Sequence, residues 1–313
     1  MKRGLLKVLA DVAILILMLV VMDVLVGWVG EKYINRLNKE PRNSDAALVN
    51  YDVNAAAPDV AILGSSTAIC HYDPQIIHDS LLHYTGRNLE VFNMGVSNQR
   101  LAYDYYGLRC LLVRTTPQLV IADIWPSYIG EGDMSFSFEA FRPYVSINPI
   151  IKEMLEKHGD YSFMNLSNMY CYNTEFVKLL MAPLKAKNPD GFSRSKVKIE
   201  KVEKLNEKDK SALSDLSIYE FMDMIRLSKE RGFKLIFVMS PTLRSADTES
   251  QSYQFIVKEC HENDILMLDY SNDESYYKTE YFRDRSHLNY YGAELFSQNL
   301  MSDLKYYIQA QIK

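Results

Sequence analysis

Residues 59–66 read DVAILGSS, and how this stretch is read decides the fold. A short apolar run from Val60 to Leu63 stops abruptly at Gly64-Ser65-Ser66. A run of this length ended by turn residues reads as a strand buried on both faces, the kind found in parallel sheets. The pattern recurs outward. LEVFN at 89–93 stops near Gly95, QLVIADI at 118–124 stops at Trp125-Pro126, and FKLIFVM at 233–239 stops at Ser240-Pro241. A fifth strand is expected over 265–269, and helical periods fall near 78–84, 101–114, 217–231, 250–262 and 291–309. Strands alternating with helices imply an α/β chain: a three-layer α/β/α sandwich of about five parallel strands, flavodoxin-like in plan. Ligands of such sheets gather beyond the carboxyl ends of the strands, so the residues directly after each strand carry the most information.

Composition narrows the function. The 313 residues hold 35 Lys+Arg against 40 Asp+Glu, a net charge of −5, and 48% are hydrophobic. That apolar content excludes a disordered chain, and the lack of a basic excess argues against a nucleic-acid partner. Cys70, Cys110, Cys171 and Cys260 form no CxxC pair, so buried free thiols are expected, with neither metal nor cofactor.

The amino terminus differs from the rest. Lys2, Arg3 and Lys7 precede a segment, Val8–Gly30, whose only charges are Asp11 and Asp23. As a helix it would reach about 35 Å, enough to span a hydrocarbon core of about 30 Å. The basic flank should stay cytoplasmic, placing the remainder on the outer side of a bacterial cytoplasmic membrane. A cleaved signal peptide and a buried core helix are the alternatives, opposed respectively by the lack of a small-x-small cleavage site and by the lack of a polar face. The expected organisation is an anchor over 1–30, a tether over 31–57, and a domain over 58–313 interrupted by an insertion at about 127–212. Within that insertion, FSRSKVKIEKVEKLNEKDKS interleaves both charges and reads as a solvated face or loop, with a dedicated anionic-ligand patch as the alternative.

Three blocks could carry chemistry. Ser66 stands on the turn after the first strand, where a hydroxyl is exposed beside the positive end of a helix. Asn93-Met94-Gly95-Val96-Ser97-Asn98 follows the second strand, and a glycine there can bring an N–H close to a developing oxyanion. Near the last helix, Asp284 and His287 are three residues apart, so the carboxylate can take the Nδ1 proton and leave Nε2 free as a base. Singly, each block has a plain structural explanation as a helix cap, a turn or a surface pair. Cys70, one helical turn beyond Ser66, is the poorer nucleophile, since no histidine spacing favours it.

Taken in this order and spacing, the three blocks resemble the SGNH (GDSL-like) hydrolase and acyltransferase superfamily, over about 58–126 and 213–313. The resemblance implies Ser66 as nucleophile, His287 as base and Asp284 as its orienting acid, with the N–H groups of Ser66 and Gly95 in the oxyanion hole. Ser65 takes the place of the usual aspartate, as in membrane-anchored members that resemble the D-alanyl transfer protein of lipoteichoic acid synthesis. One block departs from the pattern. Where the family places Gly-x-Asn-Asp after strand three, this chain has Ala122-Asp123-Ile124-Trp125-Pro126-Ser127, with no asparagine to donate. Asn98 or Ser127 would have to substitute, Trp125 would line the substrate site, and Asp123 reads as structural. The resemblance implies an envelope-facing esterase or O-acyltransferase acting, through an acyl-enzyme, on an acyl (probably acetyl) ester of a cell-envelope glycan. Its expected partners are membrane lipid and a polytopic membrane acyltransferase. The rival expectation is a non-catalytic binding or scaffold protein with a degenerate oxyanion hole.

Overall fold

The computed structural model describes residues 2–37, 39–131, 138–159, 167–206 and 208–312. Parts of the expected insertion, 132–137 and 160–166, lie outside the described residues, as does position 207. In chain order the helices are α1 (Lys2–Arg36), α2 (Asp45–Asn54), α3 (Ser66–His71), α4 (Pro74–Thr85) and α5 (Leu101–Arg114). They continue with α6 (Pro149–Lys157), α7 (Asn168–Met181), α8 (Asp215–Arg231), α9 (Gln251–Glu262) and α10 (Tyr290–Gln311). The strands are β1 (Val60–Leu63), β2 (Val91–Asn93), β3 (Leu119–Asp123), β4 (Leu205–Asn206), β5 (Lys234–Met239), β6 (Arg244–Ser245) and β7 (Leu266–Asp269). The chain forms two compact units, one of residues 1–38 and 134–184, the other of 39–133 and 185–313.

The larger unit is built on a five-stranded parallel sheet in the order β2-β1-β3-β5-β7. β1 and β3 are buried along their whole length, with Val60 opposite Leu119 and Ile62 opposite Ile121, which is why both are unbroken apolar runs. From β1 the chain winds outward to β2, then returns past β1 and builds the other half of the sheet through β3, β5 and β7. The winding direction therefore reverses between the carboxyl ends of β1 and β3, the position at which open α/β sheets leave a crevice. The fold class and all five strands agree with the sequence reading, with boundaries shifted by a residue or two.

One segment differs from expectation. The supposed tether holds a packed helix: Ala46, Ala47, Leu48, Val49 and Val53 of α2 are buried, and the Arg114 guanidinium donates to the carbonyls of Asp52, Val53 and Ala56. The interleaved-charge run is a largely exposed loop, as the sequence reading has it. Its main chain is laced to the α/β unit: Ser193 N–H donates to the Ile69 carbonyl at 2.9 Å and Ile199 N–H to that of Phe282 at 2.8 Å. It contains β4, which pairs in parallel with β6 as a small second sheet.

In the smaller unit, α1 is long and apolar enough to cross a membrane, and none of its most apolar window is buried. Its distal third pairs with α7. The Asp23 carboxylate accepts the Ser167 hydroxyl at 2.6 Å and the N–H groups of Asn168 at 3.0 Å and Met169 at 2.9 Å. An acid inside an apolar helix is thus spent on the exposed N–H groups at the start of a second helix. Gly30 lets α7 come close, since a Cβ there would meet the Tyr172 ring at 2.5 Å. Further on, Tyr33 donates to the Leu179 carbonyl at 3.2 Å.

Candidate active site

β1 ends at Gly64, whose φ of 144° is open only to glycine, and whose missing side chain leaves room for Ala68 and Asp123. The chain then turns into α3, capped by the Ser65 hydroxyl, which accepts the Ser66 N–H at 2.6 Å. Ser66 therefore opens a helix on the rim of the sheet. From 221 residues away, His287 brings Nε2 to 2.7 Å from Ser66 Oγ. On the other side of the ring, Nδ1 lies 2.8 Å from Asp284 Oδ1 and 3.0 Å from Oδ2.

The Asp284–His287 loop is pre-formed by its own backbone. Asp284 Oδ1 also accepts the N–H groups of Ser286 at 2.9 Å and His287 at 3.0 Å. Phe282 and Leu288 bridge across the loop's base, and Asn289 caps α10 by accepting from Tyr291 and Gly292. Partial burial pulls the Asp284 pKa upward, but the Ser286 N–H, His287 and Arg283 outweigh it and hold the carboxyl below its ordinary range. Burial lowers the His287 pKa; Asp284 opposes this and Arg283 adds to it, so the net shift is downward. At neutral pH the imidazole is therefore neutral, and its orientation leaves Nε2 as an acceptor for the Ser66 proton.

Beneath this line lies a buried polar cluster centred on Asp123, at the end of β3. Tyr72 donates to Asp123 Oδ1 at 2.7 Å, the Ser240 N–H donates to the same oxygen at 3.2 Å, and the Thr67 hydroxyl donates to Oδ2. Burial raises the Asp123 pKa, and these donors work against that rise. The structural role read for Asp123 is the one its contacts describe, although it serves two strand ends and the helix that begins with Ser66.

Above Ser66 opens a cavity of about 400 Å³. Ser66, His287, Trp125 and Ser127 all line it. Gly95 and Asn98 do not: the Gly95 N–H is donated to Asn93 Oδ1 at 3.0 Å, and Asn98 is exposed on a turn at φ 58°. One wall comes from Trp125–Tyr128 after β3; the other comes from Lys208, Asp209 and Arg244–Asp247, around the β4–β6 pair. Lys208 Nζ reaches Asp247 at 3.1 Å and Glu249 at 3.4 Å, tying that wall together. Among the described residues no group of three or more His, Cys, Asp or Glu is placed to hold a metal ion, and all four cysteines are free and buried.

Sequence reasoning missed His71, Thr67, Tyr128 and Ser240. Ser240 was within reach, since it directly follows β5 and residues after strands were the ones to read. His71 stands only five residues after Ser66, as the last residue of α3.

No family model matches the chain and no curated protein does. Among solved structures it is similar to a candidate acylhydrolase from Bacteroides fragilis, at 12% identity and a TM-score of 0.38, covering 82% of this chain and 94% of that one. A GDSL-like lipase from Bacteroides thetaiotaomicron is 12% identical with a TM-score of 0.36, over 83% and 99% of the two chains. A lipase/acylhydrolase from Enterococcus faecalis is 14% identical with a TM-score of 0.34, over 79% and 96%. At these values the likenesses decide neither reaction nor substrate, and the chemistry has to come from the site itself.

Proposed function

We propose that the chain is a serine esterase or O-acyltransferase of the SGNH (GDSL-like) type. The observation that carries this is the continuous line from Asp284 through His287 to Ser66 Oγ, set on the floor of a cavity at the reversal point of the sheet. Ser66 Oγ attacks the ester carbonyl carbon as its proton passes to His287 Nε2, and Asp284 stabilises the resulting imidazolium. His287 returns that proton to the departing alcohol, leaving an acyl-Ser66. Water or a second hydroxyl then attacks the acyl carbon by the same route in reverse roles and frees the serine. For the oxyanion, the Ser66 N–H becomes a donor when the Ser65 hydroxyl releases it, and the Ser127 hydroxyl stands on the adjoining wall.

A cavity with Trp125 and Tyr128 on one side and polar or charged groups on the other suits a sugar ester better than a long acyl chain. With α1 as a membrane anchor and Lys2, Arg3 and Lys7 on its cytoplasmic side, the α/β unit would work on an acylated glycan outside the membrane. A polytopic membrane acyltransferase is then the natural source of acyl groups.

A second reading has its own observation. The Gly95 and Ser66 N–H groups already donate to Asn93 and Ser65, as in a fold that has kept its triad and closed its oxyanion hole. A fluorophosphonate probe separates the two. Labelling of the full-length protein that disappears in Ser66→Ala supports the enzyme; folded wild-type protein that takes no label supports the binding protein.

A further inference from the structure

His71 is buried completely, yet both ring nitrogens are engaged. The Leu288 N–H donates to His71 Nε2 at 2.9 Å, and His71 Nδ1 lies 2.9 Å from Ser240 Oγ. A backbone N–H can only donate, so Nε2 is the acceptor and the ring proton sits on Nδ1, where it donates to Ser240. The Ser240 hydroxyl in turn hydrogen-bonds Asp123, whose carboxylate also receives Thr67 from the first turn of α3. His71 is the last residue of the short helix that begins with Ser66, and Leu288 directly follows His287 in the chain. The two rings stand 6.4 Å apart, edge to face.

Resting on the serine-nucleophile reading above, we propose that His71 is a positioning residue that suspends the Asp284–His287 loop from the Ser66 helix through the Leu288 N–H. The loop's internal bonds set its shape, but they do not fix its distance from Ser66. Besides the Ser66–His287 contact itself, the Leu288–His71 bond is a direct tie between α3 and this loop, and it lies beside the base. A proton transfer between Ser66 Oγ and Nε2 is sensitive to small displacements, so slack at Leu288 should reduce the chemical step and leave substrate capture unchanged.

The side-chain geometry supplies paired variants. His71→Gln places an amide oxygen about where Nε2 lies and can still accept from Leu288. His71→Asn can reach Ser240 but is too short to reach Leu288. Both should be made in the full-length chain and compared with wild type by turnover of p-nitrophenyl acetate, by the rate of fluorophosphonate labelling, and by hydrogen exchange of the Leu288 amide. The expected result is a fall in kcat of about 10²-fold for His71→Asn with KM within a factor of two, much of it restored in His71→Gln. Leu288 amide protection should be lost in His71→Asn and kept in His71→Gln. Full kcat in folded His71→Asn would overturn the proposal, as would equal losses in both variants that track their melting temperatures. If wild-type protein neither labels nor turns over ester, the esterase reading fails on its own; the exchange measurement still decides whether His71 holds the loop.

Discussion

The Gly95 N–H donates to the Asn93 side-chain oxygen at 3.0 Å, facing into the α/β unit and away from the cavity. Asn93 has no exposed surface, and its Nδ2 donates to the carbonyls of Ala68 at 2.7 Å and Tyr72 at 3.2 Å. One amide thus ties the end of β2 to the middle of α3 and to the residue that caps its C-terminus. Asn93→Leu would take that partner from the Gly95 N–H and the Tyr72 carbonyl in a dry interior, while the Ala68 carbonyl keeps the Tyr72 N–H. Each orphaned group costs about 1–3 kcal/mol, so a loss of at least about 2 kcal/mol is expected, read as a lower urea midpoint at unchanged m-value.

Asp284 tests how much the base depends on its orienting acid. Asp284→Asn removes the charge that stabilises the imidazolium and offers an amide N–H where Nδ1–H needs an acceptor. A fall in kcat of about 10²–10⁴-fold is expected at pH 7, with fluorophosphonate labelling slowed in parallel. Labelling at the wild-type rate would remove Asp284 from the mechanism.

The pH profile follows from the direction of the His287 shift. On the proposed serine-esterase mechanism activity needs the neutral ring, and the ring's pKa lies below the ordinary imidazole value of 6.5. Activity should therefore persist as pH falls through 6.5 and drop only below it. Arg283 helps to hold that pKa down, so Arg283→Ala should move the acid limb of kcat/KM toward higher pH. A limb that stays put, or moves the other way, would show that Arg283 does not act on the base.

Gly30 offers a test in the smaller unit. A Cβ at this position meets three atoms of the Tyr172 ring between 2.5 and 2.7 Å, and a ring in a helix pair has little freedom to retreat. Gly30→Leu should separate α7 from α1 and open residues 168–181 to protease, monitored by limited proteolysis of the detergent-solubilised chain. Unchanged fragment patterns would mean that the pair tolerates the added bulk.

How much of this was legible in the sequence depends on where each contact is made. Strands buried on both faces announce themselves as apolar runs, so the sheet could be counted from residue types alone. The Asp284–His287 loop was legible because its partners are near neighbours with distinctive side chains. α2 was not, because Asn50 and Asp52 look like surface residues. Both are buried in the α/β unit, where Asp52 accepts the Tyr103 hydroxyl at 2.6 Å. His71 was missed because its decisive partner is a peptide N–H 217 residues away, and a peptide group leaves no mark on residue type. The part of the cavity wall made by Lys208 and Asp209 was hidden in the same way, close to the pairing of Leu205 and Asn206 with Arg244 and Ser245 in an otherwise charged run.

The separation of 221 positions between Ser66 and His287 has a kinetic side. Closing so long a loop gains nothing until the strands between have paired, so Ser66 meets His287 only after the sheet is complete. A partly folded chain would carry both residues without bringing them together. Ester turnover, once measured, would then report the finished α/β unit in a single reading, and its time course during refolding would lag behind the appearance of helix.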